Sequence, residues 1–150
     1  MRKLFAFVCL LGVLYALAVL HGLLPAPGWS SVAIGAESAC DGADIAAAWR
    51  NHQRNVEVCG RAVVDRVLRD DLEGSRHQKF IVRMADGQTL LIAYNIDIAT
   101  RIDGISAGEP IEFAGEYEWT RQGGVVHWTH HDPQGRHRDG WIRYHGHLYQ

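Results

Sequence analysis

From Val56 onward apolar and polar residues alternate with period two, and no other feature restricts the fold as much. Alternation of this kind describes strands with one face buried and one face wet. Val56 to Leu68 forms the first such run, with Gly60 expected as a bend or bulge. After a polar turn at 70–75, Phe80 to Met84 and Thr89 to Tyr94 flank Asp86-Gly87, a strong hairpin signal. Ile98 to Ile105 reads as a short helix closed by Gly108. Ile111 to Trp119 is a fourth strand, and Gly123-Gly124 turns the chain into a fifth, Val125 to Thr129. Trp141 to Tyr149 suits a last hairpin around Gly146. Five strands with a helix between the third and fourth follow the order of an OB-type barrel. The expected class is mainly β: a small five-stranded OB-like barrel with one or two short helices, preceded by an N-terminal apolar helix.

Ahead of the strands, Asp41 to Gln53 reads as a short helix. Asp41 or Asp44 can cap it, and Ile45, Ala48, Trp49 and His52 share one face. The part from Cys40 onward has room for one modest core and not for two. The whole chain of 150 residues carries a formal charge of −2, so composition does not point to nucleic acid.

Arg2 and Lys3 precede an uncharged apolar run from Leu4 to Leu24. A basic start followed by an apolar stretch is the pattern of a secretory signal, and this stretch is also long enough to span a membrane. Basic residues before the run predict the N-terminus in the cytoplasm and the remainder outside. Ala33-Ile34-Gly35 and Ala36-Glu37-Ser38 both offer small-x-small cleavage patterns. The organisation expected is therefore 1–24 as signal peptide or membrane anchor, 25–39 as linker, and 40–150 as a single β-barrel domain. The domain would be periplasmic or extracellular, held at the inner membrane if residues 4–24 are kept. In such a compartment Cys40 and Cys59 can pair, or stay as two buried thiols.

Several short motifs stand out: Gly74-Ser75-Arg76-His77-Gln78, Asn95-Ile96-Asp97, Gly115-Glu116-Tyr117-Glu118-Trp119, and His127-Trp128-Thr129-His130-His131-Asp132-Pro133 with Gly140-Trp141 after it. As a set they resemble a bacterial domain-of-unknown-function family of small exported proteins, over about residues 40 to 150. The resemblance implies export and supplies no activity, so the chemistry rests on the residues.

Six of the nine histidines lie between His127 and His147. If the fifth strand runs on through Asp132, His127, Thr129 and His131 share one face, and Trp128, His130 and Asp132 the other. His127 and His131 would stand about 13 Å apart, too far for one metal ion. The barrel topology brings the start of the second strand and the ends of the third and fifth to one rim. His77, Asp97, His130 and His131 are then candidate ligands of a divalent, zinc-like ion, with Asn95 orienting them and Asp132, His127, Trp128 and Glu118 as further candidates. Acid/base work without metal would use the same groups. The plain alternative is that Asn95 and Asp97 make turn hydrogen bonds and the histidines are solvated.

Glu116 and Glu118 share a strand face, as paired carboxylates or as a solvated surface. Tyr117, Trp119, Trp128 and Trp141, with Arg121, Arg136, Arg138 and Arg143, could stack bases and hold phosphates, or simply build the core. Three functions follow: a module binding a metal ion or anionic ligand at a His/Asp rim, a metal-dependent hydrolase acting on phosphodiesters, and a structural envelope protein.

Overall fold

The computed structural model describes residues 43–150, all within the compact unit that begins at Ala39. The apolar run, both cleavage patterns, Asp41 and Cys40 lie outside the described residues. Among the described residues no helix is long and apolar enough to cross a membrane.

The chain runs α1 (Ile45–Arg50), β1 (Arg54–Val67), β2 (His77–Arg83), β3 (Thr89–Asn95), β4 (Pro110–Glu118), β5 (Val125–His127), β6 (Trp141–Tyr144) and β7 (His147–Tyr149). Asp44 caps α1 by accepting from Ala46 N at 2.9 Å and Ala47 N at 3.2 Å. The helix is shorter than the expected Asp41 to Gln53: Asn51 is its C-cap and His52 turns to φ 53°. Ile45 and Ala48 enter the core, and the Trp49 indole donates to Thr120 O at 3.1 Å, tying α1 to the β4–β5 turn.

The sheet order is β1-β2-β3-β5-β4, and β4 pairs back onto β1, so five strands close into a barrel. The β3–β5 contact is parallel and the other pairings are antiparallel, as an OB-type barrel requires. Period two sorts the side chains as expected. Phe80, Val82, Leu90, Ile92, Tyr94, Ile111, Phe113 and Tyr117 point inward and are buried, while their sequence neighbours face out.

β4 changes partner along one edge. Ile111–Ala114 pair with β6, and Glu116–Glu118 pair with β5. The handover falls at Gly115, where an added Cβ would stand 2.4 Å from His127 O. Only glycine lets the two strand ends approach so closely.

Three expectations are corrected. Ile98 to Ile105 is a turn-rich loop, not a helix. Its backbone is held from outside: the buried Gln78 amide donates to Ile102 O at 2.9 Å and accepts from Ile102 N at 3.0 Å. Tyr94 Oη donates to Thr100 O, and Tyr144 Oη to Gly104 O. These bonds take groups that an i→i−4 ladder would need. Second, Gly60 is no bulge, because pairing with β4 runs unbroken from Val56 to Val63. The irregularities lie at Arg54/Val56 and Val64/Arg66. Gly60 serves packing, since a Cβ there would sit 3.0 Å from Met84 Cε. Third, β5 stops at His127 rather than Thr129 or Asp132. Trp128 adopts φ 51°, which ends the extended backbone, and the strand-face argument for His130, His131 and Asp132 ends with it.

A carboxylate–histidine group on the outer face of the barrel

The outward residues of β1, β4 and β5 align in register. Glu116 lies opposite Glu57 on one side and opposite His127 on the other. Glu118 follows two residues later on the same face. The ligand atoms of Glu116, Glu118 and His127 all lie within 4.8 Å of one another, the one such group of His, Cys, Asp and Glu among the described residues.

The Glu116 carboxylate is 13 % exposed and has imidazoles on both sides. Oε1 is 3.4 Å from His127 Nε2, and Oε2 is 3.3 Å from His137 Nδ1. His127 Nε2 is buried without a hydrogen-bond partner, because its approach to Glu116 has ion-pair distance but not hydrogen-bond alignment. Burial pushes the His127 pKa below its ordinary 6.5. Glu116 and Glu118 pull the other way, and the charges of His137 and His77 add to the depression. An imidazole nitrogen without a hydrogen bond beside two carboxylates is a donor set that a divalent ion could use. Glu118 is positioned by β1, accepting from Asn55 N at 3.1 Å and from Arg54 Nη1 at 3.2 Å. Glu57 is raised above the usual carboxylate range by burial and by the charge of Glu116, against the opposing charges of Arg138 and His137.

His137 arrives on the loop between β5 and β6, which is held by its own polar groups. The buried Asp132 carboxylate accepts from Gln134 N, Arg136 N and His137 N. Asp139 accepts from Asp132 N at 2.8 Å and pairs with His131 Nδ1 at 2.9 Å. Gly140 N donates to His130 O, and a Cβ on Gly140 would meet Trp128 O at 2.0 Å. The loop thus closes on itself, and the His137 ring stacks on Trp128 with centroids 3.8 Å apart and planes at 17°.

The rim candidates are placed differently. Arg76 donates from N and Nε to Asp97, Asn95 Oδ1 accepts from Asp97 N at 2.9 Å, and His77 pairs with Asn95 across β2 and β3. His77 Nδ1 donates to Ser75 O at 2.7 Å. His130 is buried edge-on to Tyr94, with Nδ1 donating to His131 O at 2.7 Å. His77, Asn95 and Asp97 are therefore brought together at one end of the barrel. His130 and His131 bond to other neighbours, and Asp132 is spent on its loop. Cys59 is disulfide-bonded.

The aromatics are used in packing. Tyr117 is core, with Oη donating to Gly123 O. Trp119 lies against His52, and Arg143 over Trp141. His137 was not among the residues singled out from sequence, and Glu116 was noted only as half of a carboxylate pair. Glu-x-Glu followed by Gly-Gly-x-x-His was the available signal, but it acquires meaning only once β4 and β5 are set in register.

Fold and site together define a small closed β-barrel with a carboxylate–histidine group on its outer surface. The chain belongs to a bacterial family described as "Protein of unknown function (DUF3465)", whose match covers residues 29–150. No curated protein and no solved structure matches it.

Proposed function

We propose that this protein is an exported barrel that binds a divalent metal ion through Glu116, Glu118 and His127. The observation that carries the reading is the convergence of these three donors within 4.8 Å, with His127 Nε2 buried, 3.4 Å from Glu116 Oε1 and without a hydrogen bond. Mixed carboxylate and imidazole donors suit zinc or manganese rather than copper(I) or calcium. His137, on the far oxygen of Glu116, supports the ligand from outside. The His77/Asp97/His130/His131 rim is the weaker alternative, because Asp97 already serves Arg76.

Export rests on the basic start and apolar run of residues 2–24, and a Cys40–Cys59 bridge would suit an oxidising compartment. Elemental analysis of the purified protein after zinc or manganese loading tests the metal reading. One or more ions per chain, lost in His127→Ala and Glu116→Gln, is the expected result. A metal-free wild type would sink it. Fractionation of cells expressing the full chain tests export, with recovery in the cytosol as the contrary outcome.

A second reading, metal-dependent hydrolysis, is favoured by the ligand number. Three protein donors leave a coordination position for water or substrate. It predicts metal-dependent turnover of a generic phosphodiester such as bis-p-nitrophenyl phosphate, abolished in His127→Ala.

A further inference from the structure

We propose that the metal group takes a phosphate ester with an alkyl arm, and that the arm lies in a groove across the outer face of β2, β3 and β5. This rests on the metal reading above and names the class of ligand the site takes. The groove is a row set by strand register. Arg66 stands opposite Ile81, Ile81 opposite Leu91, Leu91 beside Val125, and Val125 opposite Glu118. Paired residues share a face, so the row runs from an exposed arginine over three aliphatic side chains to a carboxylate of the metal group. Ile81, Leu91 and Val125 are half-buried and line an open cavity of about 510 Å³. That volume suits a small ligand. Ile81 and Val125 stand two strand spacings apart, about 10 Å.

The row departs from the neighbouring surface. Outward positions of β1 and β4 carry Glu57, Glu112, Glu116 and Glu118. Single apolar residues on a surface are ordinary, but three in register that end at a donor group form a patch. Its rim does not repel an anion. The Asp65 carboxylate accepts from Arg83 Nε at 3.2 Å, and Thr89 Oγ1 donates to Gln122 O at 3.4 Å. The floor has no aromatic side chain on which a nucleobase would stack, so the arm is a chain rather than a base. Charge sets the head. Arg54, paired with Glu118 at the end of the row, donates from Nη1 to Glu118 Oε2 at 3.2 Å and stays 60 % exposed. The remaining donors of its guanidinium fork suit a phosphate oxygen while another oxygen meets the ion.

The test is chain length. Full-length chain in lipid nanodiscs is loaded with zinc, its zinc content is measured, and calorimetry follows inorganic phosphate and then ethyl, butyl and hexyl phosphate. Affinity should rise about tenfold or more from ethyl to hexyl, against on the order of 200-fold if four methylenes were fully buried. Leu91→Gln should remove the rise and leave zinc content and inorganic phosphate affinity unchanged. Ile81→Gln, on the adjacent strand, should do the same, so the result does not hang on one variant folding. A rise kept in both variants places the chain in the lipid and overturns the groove. Affinity independent of chain length in the zinc-loaded wild type overturns it too and leaves the metal reading intact. A mononucleotide that binds more tightly than hexyl phosphate puts a base on this face and overturns the alkyl arm. No zinc at all takes down the metal reading and the ester with it.

Discussion

Two polar regions of this barrel are built from similar residues and end in opposite states. At the junction of β2 and β3, Arg76, Gln78, Asn95 and Asp97 all find partners within the protein. On the outer face of β4, Glu57 and Glu116 oppose each other and His127 Nε2 is buried without a hydrogen bond. Buried polar groups are normally satisfied, so a satisfied cluster explains itself by folding, while an unsatisfied one is unfavourable without a ligand. Residue type does not separate the two regions; hydrogen-bond saturation does.

The largest test breaks the frame that holds them apart. Gly140→Ala drives a Cβ against Trp128 O and Ala114 O, 2.0 and 2.6 Å away, and should cost about 3 kcal/mol or more, read by urea denaturation. If the loop is an independent flap, the loss will be small and confined to metal binding. Next comes the junction itself. Gln78→Leu strands both backbone groups of the buried Ile102 and should cost about 2–3 kcal/mol, with metal stoichiometry unchanged in the folded fraction. Metal loss in that variant would merge the two regions into one.

The third test is pH. His127 is depressed by burial below its ordinary 6.5, so in the native state it resists a proton that the unfolded chain accepts. In EDTA, stability contributed by the neutral ring is present above 6.5 and declines as pH falls toward the native value. His127→Asn should flatten that limb. Asp97 is held below its ordinary 3.8 by the hydrogen bonds from Arg76. Its contribution persists above 3.8 and is lost only as pH falls through the native value. The outer-face group should therefore respond to acid before the junction does. The smallest effect is expected of Glu57→Gln. It removes the like charge opposite Glu116 and should stabilise the metal-free protein by about 0.5 kcal/mol at neutral pH, softened by solvent screening.

Much of the barrel was legible in the sequence. Period two placed all five barrel strands, Asp86-Gly87 and Gly123-Gly124 marked two of the turns, and the hairpin around Gly146 forms as β6 and β7. Each of these signals is local. The failures were non-local. Nothing near Ile98 to Ile105 announces that Gln78, 24 residues upstream, will claim the Ile102 backbone. Nothing at Trp128 announces that Gly140 will close against its carbonyl. The candidate group suffered in the same way: Glu118 and His127 were visible as residues, but Glu116 and His137 became partners only through the β4–β5 register and the closed loop. Asp132 drew notice as a possible ligand because a carboxylate in a histidine run invites it; three backbone N–H groups occupy it instead.

The double pairing of β1 also governs how the chain can fold. β1–β2–β3 is a meander whose contacts close over short stretches of sequence. The seam with β4 joins positions as much as 64 residues apart, and β3 meets β5 through only two registered pairs. Loop-closure entropy is concentrated at that seam, so the meander can assemble first while the last edge waits for residues 110–127 to arrive. Until then β1 and β3 present open edges, each able to recruit the wrong strand from a neighbouring chain.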